Sequence, residues 1–115
     1  MAEECIFCRI AAGEIPAKVV RQDEDTVAFR DINPRAPTHV LVIPRRHIPS
    51  VNVLDPGDAA LVGKLFLAAR DIARSEGVDE SGYRMVVNAG PDAGQSVDHI
   101  HLHLLGGRGL AWPPG

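Results

Sequence analysis

Apolar and polar positions along the chain divide it into several short apolar runs, which predict strands, and one longer apolar stripe, which predicts a helix. Lys18 to Arg21 and Thr26 to Arg30 are two short runs separated by four polar residues, a pattern typical of a hairpin. Thr38 to Ile43 is almost continuously apolar and ends at Pro44. This run favours a central strand that is buried on both faces.

The longer stripe predicts one helix between Asp55 and Gly77. Asp55 can cap its N-terminus, Pro56 suits the first helical position, and Gly77 suits the position just past the end. The apolar residues inside recur at spacings of three and four and are Leu61, Leu65, Phe66, Ala69, Ile72 and Ala73. Residues 3–12 predict a second, short helix that ends at Gly13.

Two further strands are predicted at Tyr83 to Val87 and at Val97 to Leu105. Because side chains alternate along a strand, His99, His101 and His103 would share one face, about 6.5–7 Å apart along the strand. Aliphatic residues would occupy the opposite face. The elements together predict an α+β fold: a five-stranded antiparallel sheet with one long helix packed on one face and a short N-terminal helix.

Length and composition restrict the function classes. The 115 residues fit a single domain spanning 1–115, and no stretch is apolar enough to span a bilayer. The net charge of −3 gives no basic surface for nucleic acid. The N-terminus lacks the features of a signal peptide, so we expect a cytoplasmic protein. In a reducing cytosol, Cys5 and Cys8 favour a metal half-site or two free thiols over a disulfide.

The histidine face has three interpretations from the residues alone. It could be a solvated edge strand, or a metal site, although its only nearby carboxylate, Asp98, would point to the opposite face. It could also be a catalytic face, because a neutral imidazole attacks phosphorus and its neighbours can move protons. The loop from Gly90 to Ser96 supports catalysis, since its glycines let N–H groups approach a phosphate and Ser96 can donate. Asp31 is either a turn-initiating residue or an acceptor for a ribose diol.

These residues lead to a family. The run His99 to Leu105 resembles the signature of the histidine-triad (HIT) superfamily, which alternates histidine with aliphatic residues. The similarity covers nearly the whole chain, and its other motifs are Gly13-Glu14-Ile15-Pro16, Phe29 to Pro34, Pro37-Thr38-His39, Pro44 to Ile48, Tyr83 to Asn88 and Gly94-Gln95-Ser96. The tail from Leu105 to Gly115 resembles the Hint branch, the nucleoside phosphoramidases.

The resemblance implies a hydrolase of nucleoside 5′-phosphoramidates or acyl-nucleotides that works through a nucleotidyl-histidine, without a catalytic metal or organic cofactor. It implies His101 as nucleophile, His103 as the partner of the phosphoryl oxygens and Ser96 as the residue near the leaving group. The other residues implied to contact a purine nucleotide such as an AMP conjugate are Asp31 at the ribose, Asn88, Gly94 and Gln95 at the phosphate, and Ile6, Phe7, Ile10, Phe29 and Ile32 around the base. Asp98 departs from many Hint proteins, which have an aromatic residue there.

A structural zinc site is expected from Cys5, Cys8, His47 and His99, which make a closed tetrahedral Cys₂His₂ set. Some bacterial histidine-triad proteins resemble this arrangement. The alternative is a pair of reduced thiols on a turn of helix.

A two-fold homodimer is expected because the predicted long helix and the strand near 83–88 are more apolar than one small sheet can cover. The resemblance implies one continuous ten-stranded sheet across two subunits, with the tail around Trp112 near the partner's active site. A frayed tail is the alternative. The alternative functions are a dinucleoside polyphosphate hydrolase, or a nucleotide-binding regulatory or scaffold protein with incidental hydrolysis.

Overall fold

The computed structural model describes residues 4–115, and the order of its elements confirms the predicted one. The helices and strands are α1 (Ile6–Ala11), β1 (Val19–Gln22), β2 (Thr26–Arg30), β3 (Thr38–Pro44), α2 (Ala59–Ser75), β4 (Tyr83–Val87) and β5 (Leu102–Gly106). The expected start of the short helix at residue 3 lies outside the described residues. Across residues 4–115, no helix is both long enough and apolar enough to cross a membrane.

The five strands form one antiparallel sheet in the order β1-β2-β3-β5-β4. The central strand β3 is buried at all seven positions, as its continuous apolar run predicts. Strand β4 lies at one edge, and its five residues are only half-buried. The predicted α+β fold is therefore confirmed for the single chain.

Each face of the sheet is covered by a different helix. The core on one face joins α2 to β2, β3 and β5. On the other face α1 packs through Phe7, whose ring meets that of Phe29 edge to face with centroids 5.5 Å apart. The predicted stripe of α2 needs two corrections, because Phe66 is 46% exposed and Ala68 takes a buried position. The buried stripe of the helix is therefore displaced to one side of the predicted one.

The start of α2 is built as a capped turn. Asp55 and Asp58 form a reciprocal capping box around the 3₁₀ turn Pro56–Asp58, and the α-helix follows directly from Ala59. Asp55 is thus the predicted N-cap, although the first turn is 3₁₀ rather than α. At the other end Gly77 has φ +74°, the left-handed conformation that suits glycine after a helix.

Strand β5 is shorter than predicted, and this matters for the site. It begins at Leu102 rather than Val97, so only His103 of the three alternating histidines lies in a strand. The ladder with β3 stops at the Val42–Leu102 pair, and Pro44, two residues further along β3, has no N–H to donate. Instead the Pro44 carbonyl accepts a hydrogen bond from the side chain of His99 at 2.8 Å. Residues 97–101 therefore leave the sheet as an irregular segment.

Candidate functional site

A cavity of about 690 Å³ opens on the α1 face of the sheet. Nine residues singled out from the sequence line it: Ile6, Phe7, Ile10, Phe29, Asp31, Ile32, Ser96, His101 and His103. Asn88, Gly94 and Gln95 are not among its lining residues within the described part of the chain. The apolar residues gather at the α1 end, and the titratable residues gather where β5 begins.

His101 is held in one tautomer by the backbone. Its Nδ1 lies 2.8 Å from the carbonyl oxygen of His99, and a carbonyl can only accept, so Nδ1 carries the proton. The neutral ring therefore keeps a lone pair on Nε2. The ring is buried against Phe7, with centroids 5.1 Å apart in edge-to-face geometry, and it lines the cavity. Such an imidazole suits nucleophilic attack.

A chain of hydrogen bonds sets the tautomers of two more histidines. The backbone N–H of Arg35 donates to Nδ1 of His39 at 3.0 Å, so the proton of neutral His39 is on Nε2. That Nε2–H lies 3.0 Å from Nδ1 of His103, which must accept. The proton of His103 is therefore on its own Nε2. The result is a ring N–H donor beside His101, with the His101 and His103 ring centroids 5.0 Å apart.

Burial keeps this histidine pair neutral. Burial lowers the pKa of His39, and the nearby Asp31 carboxylate only partly opposes that shift. Burial, together with the neighbouring rings of His101 and His39, lowers the pKa of His103 to about 4. Both rings are thus uncharged near neutral pH, as the chain of donors and acceptors requires.

Asp31 is the turn-initiating residue that the sequence predicted, and its carboxylate also lines the cavity. Its Oδ1 accepts the N–H of Asn33 at 2.8 Å, which is the turn-initiating geometry. Its Oδ2 lies 3.4 Å from Nε2 of His39, and the carboxylate lines the cavity. The turn therefore presents one carboxylate oxygen to the histidine chain and to any ligand of the cavity.

Two cysteines and two histidines form a second group of titratable side chains, the Cys₂His₂ cluster. Cys5, Cys8, His47 and His99 each offer one ligand atom, and all four atoms lie within 4.8 Å of one another. Nδ1 of His99 is 3.4 Å from Sγ of Cys5, and Sγ of Cys8 is 3.3 Å from Nδ1 of His47. The two Nδ1 atoms are 3.2 Å apart. Tetrahedral zinc with ordinary bond lengths needs ligand separations of about 3.3–3.8 Å.

The protonation of this cluster also fits a metal. His99 Nε2 donates to the Pro44 carbonyl, so Nδ1 is free to ligate, and burial lowers the pKa of the ring and keeps it neutral. Burial and the adjacent Cys5 raise the pKa of Cys8 to about 11. That thiol ionises at neutral pH only if a bound cation compensates. The donor set of two thiols and two imidazoles therefore fits zinc.

A family model gives independent evidence on the family of this chain. The model of the HIT domain matches residues 12–110 of this chain. The chain belongs to the HIT domain family. The resemblance read from its histidine motif is therefore confirmed.

Relatives of this HIT protein include a purine nucleoside phosphoramidase of Escherichia coli K12, 49% identical over 96% of this chain and 92% of the relative. Among solved structures, a HIT family hydrolase from Legionella pneumophila has a TM-score of 0.95 and 52% identity, over 96% of this chain and 99% of that one. A zinc-bound histidine triad family protein from Mycobacterium smegmatis has a TM-score of 0.79 and 32% identity, over 94% of this chain and 78% of that one.

Sequence reasoning missed His39 as a member of this HIT site. The residue was part of a matching motif, but it lies inside the apolar run of β3, where a histidine is easily taken for a residue of the hydrophobic core. A signal was present, because a polar ring at a buried position needs partners on both nitrogens. Other lining residues that were not singled out are Ile15, Pro16, Ala17, Arg30, Asn33, Arg35, Leu41 and Val97.

Proposed function

We propose that this HIT protein hydrolyses nucleoside 5′-phosphoramidates or acyl-nucleotides, with a purine nucleotide bound in the cavity on the α1 face. The observation that carries the proposal is the tautomer of His101, whose buried Nδ1–H leaves the Nε2 lone pair available. The phosphoramidase named among the relatives supports this substrate class. The base would lie between the apolar residues of α1 and Phe29, and the ribose hydroxyls would meet Asp31.

The reaction would proceed in two displacements. Nε2 of His101 attacks the α-phosphorus with its lone pair, the P–N bond breaks, and the leaving amine takes a proton that the Ser96 hydroxyl relays from solvent. The Nε2–H of His103 would donate to a phosphoryl oxygen, where charge develops in the transition state. Water then attacks the nucleotidyl-histidine and loses a proton to solvent, the electrons of the P–N bond return to Nε2 of His101, and the nucleoside monophosphate departs.

The first test removes the nucleophile. His101→Asn should bind AMP as the unmodified protein does, but lose turnover of adenosine 5′-phosphoramidate by several orders of magnitude, because the covalent step is absent. Steady-state kinetics and AMP titration measure the two effects. A variant that keeps more than about a tenth of the activity would contradict the assignment.

A second substrate separates the alternatives. Diadenosine polyphosphate, assayed beside the phosphoramidate, should be turned over far more slowly. Preference for the polyphosphate would favour the dinucleoside polyphosphate hydrolase. Tight AMP binding with no turnover of either compound would favour a binding or scaffold role.

The Cys₂His₂ cluster is proposed to hold a structural zinc ion through Cys5, Cys8, His47 and His99. The ligand distances and the acceptor for His99 Nε2 support it, and so does the zinc-bound family member. When bound, the ion would supply no chemistry to the substrate, since four protein ligands close a tetrahedral site. Elemental analysis of protein purified without chelators should find one zinc per chain.

A two-fold homodimer that extends the sheet through β4 is also proposed. It is supported by the position of β4 at the edge of the sheet and by the exposure of Phe66 and Leu67 on α2. The tail beyond β5 is anchored, since the Arg84 guanidinium donates to the carbonyls of Leu110 and Ala111 at 3.2 and 3.0 Å. Trp112 is 81% exposed just beyond this anchor and is proposed to reach the partner's leaving-group pocket. Sedimentation at low micromolar concentration should give a dimer.

A further inference from the structure

The side chain of Gln95 bridges the two ends of the loop from Gly90 to Ser96, which precedes the irregular segment 97–101. Its Oε1 accepts the N–H of Gly90 at 3.0 Å. Its Nε2 donates to the carbonyl of Val97 at 3.1 Å and to the carbonyl of Pro49 at 2.7 Å. The side chain therefore joins the start of the loop, its end and a separate segment that follows β3.

Every donor of Gln95 is already used. A glutamine has one backbone N–H and two amide hydrogens. The backbone N–H of Gln95 donates to the Gly90 carbonyl at 3.1 Å, which makes a reciprocal pair with the Gly90 N–H. Contact with a phosphate would require Gln95 to release one of these bonds. The expected contact between Gln95 and the phosphate stays a prediction, and it would compete with these bonds.

The segment that Gln95 holds is attached to the rest of the chain at a few points. Residues 97–101 lie outside the sheet, and they are attached to the segment after β3 by the side chain of His99, which donates to Pro44, and by the Ile100 N–H, which donates to the Ile48 carbonyl at 2.7 Å. The hydrogen bond from Gln95 to the Pro49 carbonyl attaches the start of residues 97–101 to the same segment after β3. Ser96 lies between these attachments and lines the cavity beside His101.

We infer that Gln95 is a positioning residue: its side chain closes the loop and places Ser96 against the leaving group. The inference rests on the proposed function. An error of about 1 Å in the position of a reacting group can cost two orders of magnitude in rate. Loss of the Gln95 bonds would therefore act on the departure of the amine rather than on nucleotide affinity.

The test uses Gln95→Met, which keeps the length of the side chain and removes its donors and acceptor. Turnover of the phosphoramidate should fall about 10- to 100-fold, while the dissociation constant for AMP changes less than about twofold. An acyl-nucleotide, whose leaving group departs without a proton, should lose much less. Asp92→Asn, a change at an exposed residue of the same loop, serves as the matched control. It should leave the turnover of the phosphoramidate and the dissociation constant for AMP unchanged.

Coupling to Ser96 gives the decisive readout. In a Ser96→Ala background, Gln95→Met should cost almost nothing further, because Ser96 is the group it positions. AMP affinity that falls in step with kcat/KM would instead show direct phosphate binding and overturn the inference. Full activity of Gln95→Met would also overturn it.

A separate readout does not depend on turnover. Amide hydrogen exchange at Gly90 should accelerate in Gln95→Met, because its acceptor is lost. If the unmodified protein turns over no phosphoramidate, the proposed function fails while the exchange result still tests the loop closure. Unchanged exchange at Gly90 would remove the structural basis of the inference.

Discussion

Two clusters in this protein bring histidines and other ligand types together, yet their backbone partners leave different groups free: an unprotonated ring nitrogen in one cluster and a ring N–H in the other. In the Cys₂His₂ cluster, His99 is anchored by a carbonyl, which accepts the Nε2 proton and leaves Nδ1 free. In the cluster of Asp31, His39 and His103, His39 is anchored by the Arg35 N–H, which occupies Nδ1 and leaves the proton on Nε2. One anchor prepares a metal ligand, and the other prepares a hydrogen-bond donor.

Proximity of ligand atoms alone would not separate the two clusters. The three ligand atoms of Asp31, His39 and His103 also lie within 4.8 Å of one another. A metal on His39 Nε2 would require its proton to move to Nδ1, where the Arg35 N–H already points. The cluster of Asp31, His39 and His103 therefore suits proton placement, and the Cys₂His₂ cluster suits zinc.

The clusters meet at one residue. His99 offers its side chain to the Cys₂His₂ cluster, and its backbone carbonyl accepts from Nδ1 of His101 at 2.8 Å. Metal binding and the tautomer of the proposed nucleophile therefore depend on the same backbone position. The metal would act on catalysis only through geometry.

The largest effect is expected from Cys8→Ser. Zinc content should fall from one per chain to near zero, and the free energy of unfolding should fall by about 4 kcal/mol at a thousandfold excess of metal over its dissociation constant. Elemental analysis and denaturant unfolding measure the two. Retention of zinc with unchanged stability would mean that the cluster is only a pair of thiols beside two imidazoles.

His39→Leu should leave zinc in place and reduce kcat about 100-fold. Leucine has no N–H to donate to His103, so the tautomer of His103 is no longer fixed. His99→Leu is the paired variant and should lose zinc. If His39→Leu loses zinc, or keeps full activity, the distinction between the clusters is wrong.

A smaller effect is expected at the anchor of His39. Arg35→Pro removes the backbone N–H that donates to Nδ1, and kcat should fall about 10-fold as the His39 tautomer becomes mixed. Arg35→Ala keeps the N–H and is the matched control. Equal losses in the two variants would assign the effect to the side chain.

The smallest effect concerns pH. The pKa of His103 is about 4 in the folded chain against 6.5 when unfolded, so the unfolded state binds more protons between these values. The stability it contributes is present above pH 6.5 and is lost as the pH falls toward 4. From pH 7 to 5.5 the loss should be on the order of 1 kcal/mol. His103→Asn should show a flatter profile in denaturant unfolding; an unchanged profile contradicts the depressed pKa.

Most of the fold could be predicted from the sequence, because the spacing of apolar residues and the capping residues determine local structure. The continuous run of β3 and the Asp55 cap are examples, and both are present in the structure. The start of β5 was mispredicted because the alternation of polar and apolar residues continues through residues 97–101 even though they lie outside the ladder. That boundary depends on Pro44 of another strand, which the local pattern does not include.

For the site, residue types and a family motif identified nine cavity-lining residues, but not their protonation. The tautomers depend on the Arg35 N–H and the carbonyls of Pro44 and His99, which no side-chain pattern encodes. His39 was missed for the same reason, since its role comes from its backbone partner. The bonds of Gln95 likewise depend on the three-dimensional path of the loop.

The most direct test of this difference between the clusters is a long-range ¹H–¹⁵N correlation spectrum of the zinc-loaded protein with ¹⁵N-labelled histidine at neutral pH. It distinguishes protonated, unprotonated and metal-bound ring nitrogens. We predict His99 with a protonated Nε2 and a metal-bound Nδ1, and His39 and His103 as neutral Nε2–H tautomers. A His39 ring protonated on Nδ1, or bound to metal through Nε2, would contradict the account.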